Sequence, residues 1–445
     1  MSLNSIDTSQ VSLADIAKRA RASSRQLARL SNERRNEILL TAAKAIEDGA
    51  QRILDANERD CRAAESLVTS GKMSAAMFAR LRVTGKGIEE MAARVRDVAR
   101  LHDPLGRKLA TTELDDNLIL YKESCPLGVV GIVFESRPDV VPQVASLAVK
   151  SGNALILKGG AEAAHTNETL VELWRGCLEG FSSEAVNVVQ LLHTRADVME
   201  LLTLDRDVDL IIPRGSREFV EFVARNSSVP VLGHGEGICH VYVDRAADVE
   251  KAIRITLDSK TQYPAACNAA ETLLVHQEVV DRFLARAVDE LRAAEVEVRG
   301  CTKTLAVLGR KDVAQANEAD WATEYSDLIL SIKVVSSFEE AVAHIERYGS
   351  GHTEAIVTED AEAARKFMEQ VDAAGVFHNV STRFADGFRY GLGAELGIST
   401  SKLHARGPVG LEGLTTYKYK LVGDGHIVAE YSRGTRRFKH VASAG

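Results

Sequence analysis

The sequence predicts an α/β protein built around two blocks of parallel sheet, each with its own core. From residue 128 onward, short apolar runs alternate with amphipathic helical segments, which is typical of parallel strands covered on both faces. A chain of 445 residues is also too long for one ordinary core. Its content of 45% hydrophobic and 27% charged residues is typical of a water-soluble globular protein.

The segment before these blocks, residues 12–100, has a helical pattern. Its apolar residues recur at three- and four-residue spacing, and it contains no proline. A strand-like run at 117–123 follows, within a segment, 111–124, that fits neither block. Near the other end of the chain, residues 414–431 alternate in the same way. We expect these two stretches to pair as a small β arm that reaches a neighbouring subunit.

The two blocks are assigned from their apolar runs. In the first block we place strands at 128–136, 153–158, 186–192 and 208–213, and helices at 139–150, 162–178, 196–202 and 217–225. An apolar strand at 238–243 follows, within the first predicted domain. In the second block we place strands at 272–275, 328–335, 354–357 and 375–378, and helices at 248–261, 279–294, 339–348 and 361–371. The predicted domains are therefore 1–250, 251–410 and a C-terminal arm, 411–445, that pairs with 111–124.

Charge and cysteine content narrow the class of protein. A net charge of −8 argues against a nucleic acid or an anionic membrane as the main partner. The six cysteines are scattered without a CxxC pair, as expected for reduced thiols. The first eleven residues lack the apolar core of a signal peptide, and no apolar run is long enough to span a bilayer. We therefore expect a cytoplasmic location.

Cys267 is the most informative residue of the chain. It lies in a turn between a predicted helix and a predicted strand, with alanines and Asn268 as neighbours. A nucleophilic cysteine needs room for a substrate carbonyl and backbone N–H groups that can hold an oxyanion, and small neighbours provide that room. An arbitrary cysteine is more often a small buried apolar residue. We predict that Cys267 is catalytic and group Asn268 with it.

Two strand ends could bind a nucleotide, although no GxGxxG follows the first strand. Lys158 ends one strand, at the edge where open α/β sheets bind ligands. Gly215 and Ser216 begin a helix, whose free N–H groups and dipole favour a phosphate. The alternative for that second site is an ordinary cap on a surface helix.

Residues 135–139 and 233–240 are two further candidate sites. Arg137 lies at a strand end, where it could hold a carboxylate or phosphate in a bidentate manner, or could simply pair with Glu135 or Asp139. The glycine-rich stretch 233–240 contains histidines and a cysteine, but such a loop is too flexible for zinc. We therefore predict no metal site and infer a backbone that passes close to a ligand.

Taken together, these segments resemble the aldehyde dehydrogenase superfamily, and within it the gamma-glutamyl phosphate reductase family, also called glutamate-5-semialdehyde dehydrogenases. The resemblance runs over nearly the whole chain. The segments that carry it are GVVGIVFESRPD (128–139), LKGG (157–160), IPRGS (212–216), GHGEGICH (233–240), PAACNAAETLL (264–274) and GLEGLTT (410–416).

The resemblance implies an aldehyde-dehydrogenase-like fold with a Rossmann-type cofactor domain, an α/β catalytic domain and a β oligomerisation arm. It implies NADPH-dependent reduction of L-glutamyl 5-phosphate to glutamate 5-semialdehyde in proline biosynthesis, with release of phosphate. It implies a homo-oligomer and makes glutamate 5-kinase a candidate partner. Its implied site residues are Cys267 and Asn268 for catalysis, Ser136, Arg137 and His234 for the substrate, and Lys158, Gly215, Ser216 and Glu324 for the cofactor.

Three departures from the wider superfamily bear on the reaction and its cofactor. Hydrolytic members carry a water-activating Glu where this chain has Val231-Leu-Gly-His234, although Glu236 lies close in sequence. Ser136 and Arg137 replace the oxyanion-hole Asn, which leaves the Cys267 backbone N–H as a candidate donor. Gly159, Gly160 and Ala161 displace the usual acidic residue after Lys158, which weakly favours NADPH because a 2′-phosphate would meet less repulsion.

Two other functions remain open at the level of sequence. A hydrolytic NAD-dependent aldehyde dehydrogenase would oxidise its substrate steadily without phosphate. A non-catalytic protein that kept the fold would lack a reactive thiol at Cys267.

Overall fold

The computed structural model describes residues 12–135, 137–183, 185–233, 236–309 and 312–444. The chain forms two compact units. The first contains 1–232, 392–396 and 410–445, and the second contains 233–391 and 397–409. The boundary lies at 232/233 rather than at the predicted 250/251. The reason is that the strand Cys239–Val243 pairs with strands of the second sheet and not with the first.

The first unit begins with a helical segment that bears out the helical pattern of 12–100. Its helices are α1 (Leu13–Leu27), α2 (Asn32–Asp48), α3 (Ala50–Thr69), α4 (Ala75–Leu81) and α5 (Gly85–Arg100). Ser12, Ser31, Ser74 and Thr84 each accept a backbone N–H at the start of a helix, which explains where α1, α2, α4 and α5 begin. A hairpin follows, made of β1 (Lys108–Asp115) and β2 (Leu118–Pro126).

The core of the first unit is a four-stranded parallel sheet in the order β5-β4-β3-β6. Its elements are β3 (Val129–Phe134), α6 (Val140–Lys150), β4 (Ala154–Lys158), α7 (Ala164–Glu179), β5 (Val189–Leu191), α8 (Arg195–Leu201), β6 (Leu210–Arg214) and α9 (Arg217–Asn226). Strands β3 and β4 are buried along their whole length, as the continuous apolar runs predict.

The second unit is built on a seven-stranded parallel sheet in the order β10-β9-β11-β8-β7-β12-β13. Its elements are β7 (Cys239–Val243), α10 (Val249–Thr261), β8 (Ala270–His276), α11 (Val280–Ala293), β9 (Glu297–Gly300), α12 (Thr302–Leu308), β10 (Ala314–Gln315), β11 (Ile329–Val335), α13 (Phe338–Tyr348), β12 (Thr353–Val357), α14 (Ala361–Gln370) and β13 (Gly375–His378), with the short pair β14 (Ile398–Ser399) and β15 (Gly407–Pro408).

One apolar cluster of the second unit includes Phe283 and Leu284, and another includes Phe367 and Ile345. The central strands β7, β8 and β12 are buried throughout. Because these strands are held by both neighbours and covered by apolar side chains, the turns that enter them have a rigid support.

The chain then returns to the first unit as β16 (Thr415–Val422), α15 (Val428–Ser432) and β17 (Val441–Ala444). Strand β16 pairs antiparallel with β2, and β17 pairs antiparallel with β1, which gives the sheet order β16-β2-β1-β17. The sequence predicts one strand, 117–123, within the segment 111–124, and β2 corresponds to it. Two are present because Asp116 and Asn117 form a turn, in which Asn117 has a φ of 58°. No described helix is long and apolar enough to cross a membrane.

Candidate active site

Cys267 lies in the turn between α10 and β8, in the second unit. Its thiol is half-buried, and it is one of six free cysteines. Lys260, near the end of α10, and Glu271, at the start of β8, form an ion pair at 2.6 Å, and both side chains are fully buried. Since these residues lie on either side of the turn, their ion pair closes the loop that carries Cys267.

The electrostatics of that ion pair are dominated by burial. Burial raises the pKa of Glu271 to about 7, although the Lys260 ammonium and the Ser326 N–H both favour its charged form. Burial also lowers the pKa of Lys260. Each buried charge is the ion-pair partner of the other, so loss of one would leave the other poorly compensated.

His352 lies next to the thiol, and sequence analysis did not select it. Its Nε2 is 3.2 Å from the Cys267 Sγ, and its Nδ1 is 2.9 Å from the Thr353 Oγ1. The ring is fully buried. In the tautomer that has its proton on Nδ1, the ring donates to Thr353 and Nε2 can accept the thiol proton. A nucleophile paired with an oriented base is the arrangement that activates catalytic cysteines.

At Gly237 a second backbone segment packs against the turn that contains Cys267. A Cβ built at Gly237 would lie 1.9 Å from the Cys267 carbonyl oxygen, so only glycine fits there. The Cys239 thiol donates to the same carbonyl at 3.4 Å. The described part of the glycine-rich stretch thus approaches the Cys267 turn, and its approach to a ligand stays a prediction.

Glu324 also belongs to this cluster. Its carboxylate accepts a hydrogen bond from the Gly237 backbone N–H, while burial, the larger effect, raises its pKa. Gly237 therefore joins the Cys267 turn to the carboxylate that the sequence assigned to the cofactor. Asn268 points elsewhere. Its Nδ2 donates to the Ala385 carbonyl at 2.8 Å and the side chain is buried, so in this structure it fixes the turn.

The topology explains why these groups meet. Gly237 precedes β7, Cys267 precedes β8 and His352 precedes β12, and these three strands are neighbours in the parallel sheet. The amino ends of parallel strands lie along one edge. Residues far apart in the sequence therefore come together at that edge without any sequence motif that joins them.

Lys158, Gly215, Ser216 and Arg137 lie in the first unit. Lys158 ends β4 and is largely buried, and its ammonium donates to the Gly159 carbonyl. Burial lowers the pKa of Lys158, and Glu162 opposes that shift. The sequence predicts that no carboxylate lies close to Lys158, because glycines and an alanine displace the usual acidic residue. This prediction is wrong, because the short helical turn Ala161–Ala163 brings the Glu162 carboxylate back toward Gly160 and Lys158.

Gly215 and Ser216 lie between β6 and α9. The Ser216 side chain accepts from the Phe219 N–H at 3.4 Å, and both residues are exposed. A Cβ at Gly215 would approach Phe219 at 3.0 Å and Glu135 at 3.2 Å. Ser216 therefore caps the helix, as the second interpretation expects, and Gly215 leaves no room for a side chain. Both features are compatible with a phosphate-binding site and with an ordinary helix cap.

Arg137 has its alternative partner in this structure. Its guanidinium contacts Asp139 through Nε at 3.4 Å and through a terminal nitrogen at 2.9 Å. Ser136 and His234, the other two predicted substrate residues, lie outside the described residues. Among the residues that the structure does describe, no group of three His, Cys, Asp or Glu side chains could hold a metal ion.

Comparison with known proteins identifies the family. The profile of the aldehyde dehydrogenase family matches residues 3–305. A gamma-glutamyl phosphate reductase of Trichodesmium erythraeum is 54% identical over 97% of this chain and 99% of its own length. One from Acaryochloris marina is 53% identical over 96% and 98%. The chain belongs to the aldehyde dehydrogenase family. Its similarity to these relatives places it in the gamma-glutamyl phosphate reductase branch of that family.

A solved structure agrees with this placement. The crystal structure of a gamma-glutamyl phosphate reductase from Thermotoga maritima is 40% identical, has a TM-score of 0.90, and matches 93% of this chain and 99% of that one. The aldehyde dehydrogenase fold predicted from the sequence is therefore confirmed, as is the resemblance to this family. The roles of individual residues in this aldehyde dehydrogenase remain predictions that the geometry can sharpen.

Proposed function

We propose that this chain reduces L-glutamyl 5-phosphate to L-glutamate 5-semialdehyde with NADPH and releases phosphate, as a step of proline biosynthesis. Its relatives, at 53–54% identity over nearly the full length, are named for that substrate. The single structural observation that supports the chemistry is the 3.2 Å contact between the Cys267 Sγ and the His352 Nε2. Acyl transfer to an enzyme needs such an activated nucleophile.

In the first half-reaction, His352 accepts the Cys267 proton and the thiolate attacks the acyl carbon. The carbon–oxygen bond to phosphate breaks, and a thioester to Cys267 remains. Thr353 keeps the imidazole in the required tautomer by accepting from Nδ1. The Cys239 thiol and the Gly237 backbone hold the carbonyl of Cys267 and so fix the direction of the nucleophile.

In the second half-reaction, NADPH held by Lys158, Gly215, Ser216 and Glu324 would supply a hydride for the thioester carbon. The tetrahedral adduct on Cys267 then collapses, the carbon–sulfur bond breaks, and the aldehyde leaves. His352 lies within hydrogen-bond distance of the departing sulfur and can return its proton. Overall, one hydride and one proton are consumed for each acyl phosphate reduced.

The residues in the first unit fit a dinucleotide. Lys158 is a largely buried cation at the carboxyl end of a parallel strand, where such sheets bind nucleotides. At Gly215 the backbone approaches close enough that a Cβ would be crowded, beside the start of α9. We propose that Lys158 holds the adenosine ribose, that Gly215 and Ser216 hold the pyrophosphate, and that Glu324 of the second unit holds the nicotinamide ribose.

The preference for NADPH over NADH rests on opposing charges near Lys158. Glu162 interacts with Lys158 and would disfavour a 2′-phosphate, whereas Arg195, at the first position of α8, also lies close enough to influence the pKa of Lys158. We propose that Arg195 and Lys158 together bind the 2′-phosphate. Arg195→Ala should then lower kcat/KM for NADPH about tenfold and leave that for NADH nearly unchanged.

The hydrolytic alternative is disfavoured by the carboxylates around the nucleophile. Glu271 lies four residues after Cys267, but its carboxylate is tied to Lys260 and is fully buried. Glu324 accepts from the Gly237 N–H. A water-activating base has to reach a water molecule beside the thioester, which the fully buried and ion-paired Glu271 cannot do. Glu324 is the carboxylate that we assign to the nicotinamide ribose.

The deciding experiment measures oxidation of glutamate 5-semialdehyde with NADP and with NAD, with and without inorganic phosphate. Phosphate-dependent turnover that is faster with NADP is the expected result. Steady oxidation without phosphate would overturn the proposal in favour of the hydrolytic enzyme. No turnover, together with an unreactive thiol, would favour a non-catalytic protein.

We propose that the chain forms a homo-oligomer through its antiparallel sheet. Strand β16 lies at the edge of that sheet and exposes Tyr417, Tyr419 and Leu421, an apolar edge of the kind that proteins usually cover. Light scattering coupled to gel filtration tests this directly. Glutamate 5-kinase and a cytoplasmic location remain proposals that interaction and fractionation experiments can test.

A further inference from the structure

The second unit contains a groove that none of the predicted site residues lines. It lies between α10 and the segment that follows β13, and its volume is about 780 Å³. Four of its lining residues are basic, namely Lys251, Arg254, Arg383 and Arg389, and one, Asp258, is acidic. We call it the arginine groove, after these three arginines.

Arg383 is the buried arginine among those that line this groove. Its side chain is 8% exposed. Its Nε donates to the Gln262 Oε1 at 2.9 Å, and its guanidinium lies 5.9 Å from the centre of the Tyr263 ring. Among the described residues, no carboxylate lies within ion-pair distance of this guanidinium, which is uncommon for a buried arginine.

The other basic groups of the groove differ from Arg383. Lys251 is ion-paired with Glu359, and the Arg389 guanidinium donates to the Arg383 carbonyl. Arg254 is exposed and has no ion pair among the described residues. Burial lowers the pKa of Arg383, as does the neighbouring charge of Arg389. The fold therefore holds the poorly solvated Arg383 guanidinium in one position, and its terminal nitrogens can donate to a ligand.

Arg383 also lies close to the nucleophile. Its charge is near enough to Cys267 to interact with the thiol electrostatically. Its Gln262 partner ends α10 immediately before the turn that carries Cys267. From the other side, the Asn268 side chain is hydrogen-bonded to the Ala385 carbonyl. The segment that bears Arg383 is thus fastened to the nucleophile turn at two points.

We propose that the arginine groove binds the α-amino acid end of the glutamyl substrate, with Arg383 holding the α-carboxylate. This inference rests on the proposed function. The four carbon–carbon bonds between the reacting carbon and the α-carboxylate span roughly 5 Å, so a group held beside Cys267 can define that end. A planar guanidinium fork matches a carboxylate in a bidentate manner.

The acidic residue of the groove favours this ligand over the phosphate of the substrate. Asp258 would repel a dianion, but it can accept a hydrogen bond from an α-ammonium group. A zwitterionic head group therefore finds opposite charges for both of its ends. The groove then determines which acyl phosphate is reduced, while Cys267 and His352 carry out the chemistry.

The test compares three aldehydes in the phosphate-dependent oxidation. Glutamate 5-semialdehyde has both charged groups, 5-oxopentanoate lacks the amine, and 4-aminobutanal lacks the carboxylate. Arg383→Met should lower kcat/KM about 10- to 100-fold for the two carboxylated aldehydes, and less than about threefold for 4-aminobutanal. Arg286→Met is the matched control, because Arg286 forms an exposed ion pair with Glu250 on the same unit.

The outcomes separate this inference from the proposed function. If no aldehyde is oxidised by the wild-type protein, the proposed function fails. If the wild type turns over but accepts 4-aminobutanal as readily as the carboxylated aldehydes, or if Arg383→Met slows all three equally, the inference is overturned. Arg383→Lys keeps the positive charge but cannot make the bidentate contact of a guanidinium with a carboxylate. A loss of kcat/KM that is smaller than that of Arg383→Met and confined to the two carboxylated aldehydes supports the proposal, even where the Met variant folds poorly.

Discussion

Replacing His352 with glutamine is the sharpest test of the active site. Glutamine is close in size and keeps a polar group beside the thiol, but it cannot accept and then return a proton near neutral pH. In the structure, His352 is fully buried, its Nε2 contacts the Cys267 Sγ at 3.2 Å and its Nδ1 contacts Thr353 at 2.9 Å. The substitution therefore removes proton transfer at the His352 Nε2 and leaves a side chain of similar size beside the thiol.

The expected loss can be worked out from thiol chemistry. A cysteine that ionises near its ordinary pKa, about 8.5, is roughly 3% thiolate at pH 7, so loss of the base alone costs about 30-fold. Losing the acid that returns the proton to the sulfur adds to this, and general acid–base catalysis contributes about 10²- to 10⁴-fold in most enzymes. We expect His352→Gln to lower kcat about 30- to 1000-fold at pH 7.

Two assays from pH 6.5 to 9.5 distinguish a chemical role from a structural one. The first is phosphate-dependent oxidation of the semialdehyde, and the second is the rate of Cys267 alkylation by iodoacetamide. The variant should recover much of its alkylation rate as pH rises, because hydroxide can then replace the base. His276→Gln is the control, since His276 ends β8 about 20 Å from the start of that strand.

Two results would refute this reasoning. One is a His352→Gln variant whose kcat lies within about threefold of wild type at pH 7. The other is an alkylation profile that does not change with the substitution. In either case, the contact seen in the structure would be packing without proton transfer.

Three further substitutions have defined outcomes. Cys267→Ser should abolish turnover while quenching of protein fluorescence by NADPH persists, and surviving activity would place the nucleophile elsewhere. Gly237→Ala should lower kcat at least about 100-fold because its Cβ would meet the Cys267 carbonyl at 1.9 Å, whereas Gly176→Ala on α7, with open space around it, should keep full activity. Lys260→Met should destabilise the protein by about 3–5 kcal/mol at pH 8, because it leaves the Glu271 carboxylate buried without its ion-pair partner. The loss should be smaller at pH 5.5, because the pKa of Glu271 is raised and its carboxyl group binds a proton in the folded state at that pH. Urea midpoints of the variant and the wild type at both pH values measure this, and an equal loss of stability at the two pH values would contradict it.

The fold was largely predictable because its strands have a strong sequence signal. Strand β13 was predicted with its observed bounds, Gly375–His378, and β4 and β12 were predicted to within one residue. The elements that were missed are short or lack apolar runs, as in β9, which is only partly buried, and β10, whose two residues are exposed. The domain boundary was misplaced because pairing partners, rather than local pattern, decide to which sheet a strand belongs.

The candidate site was predictable only where chemistry and local sequence coincide. Cys267 stands out because small residues surround it, whereas His352 precedes β12 in an ordinary turn and is 85 residues away in sequence. The carboxylate of Glu162 was missed for a related reason, since a turn of helix folds it back toward Lys158. Arg383 had no sequence signal at all. In each case the deciding fact is a contact between elements.

The position of Cys267 bears on how its thiol could ionise. Cys267 lies in the turn after α10 and before β8, and not at a helix amino end, where the dipole would help a thiol to lose its proton. Under the proposed mechanism the thiol therefore depends on a side-chain base. His352 is the base within reach, because its Nε2 is 3.2 Å from the Cys267 Sγ.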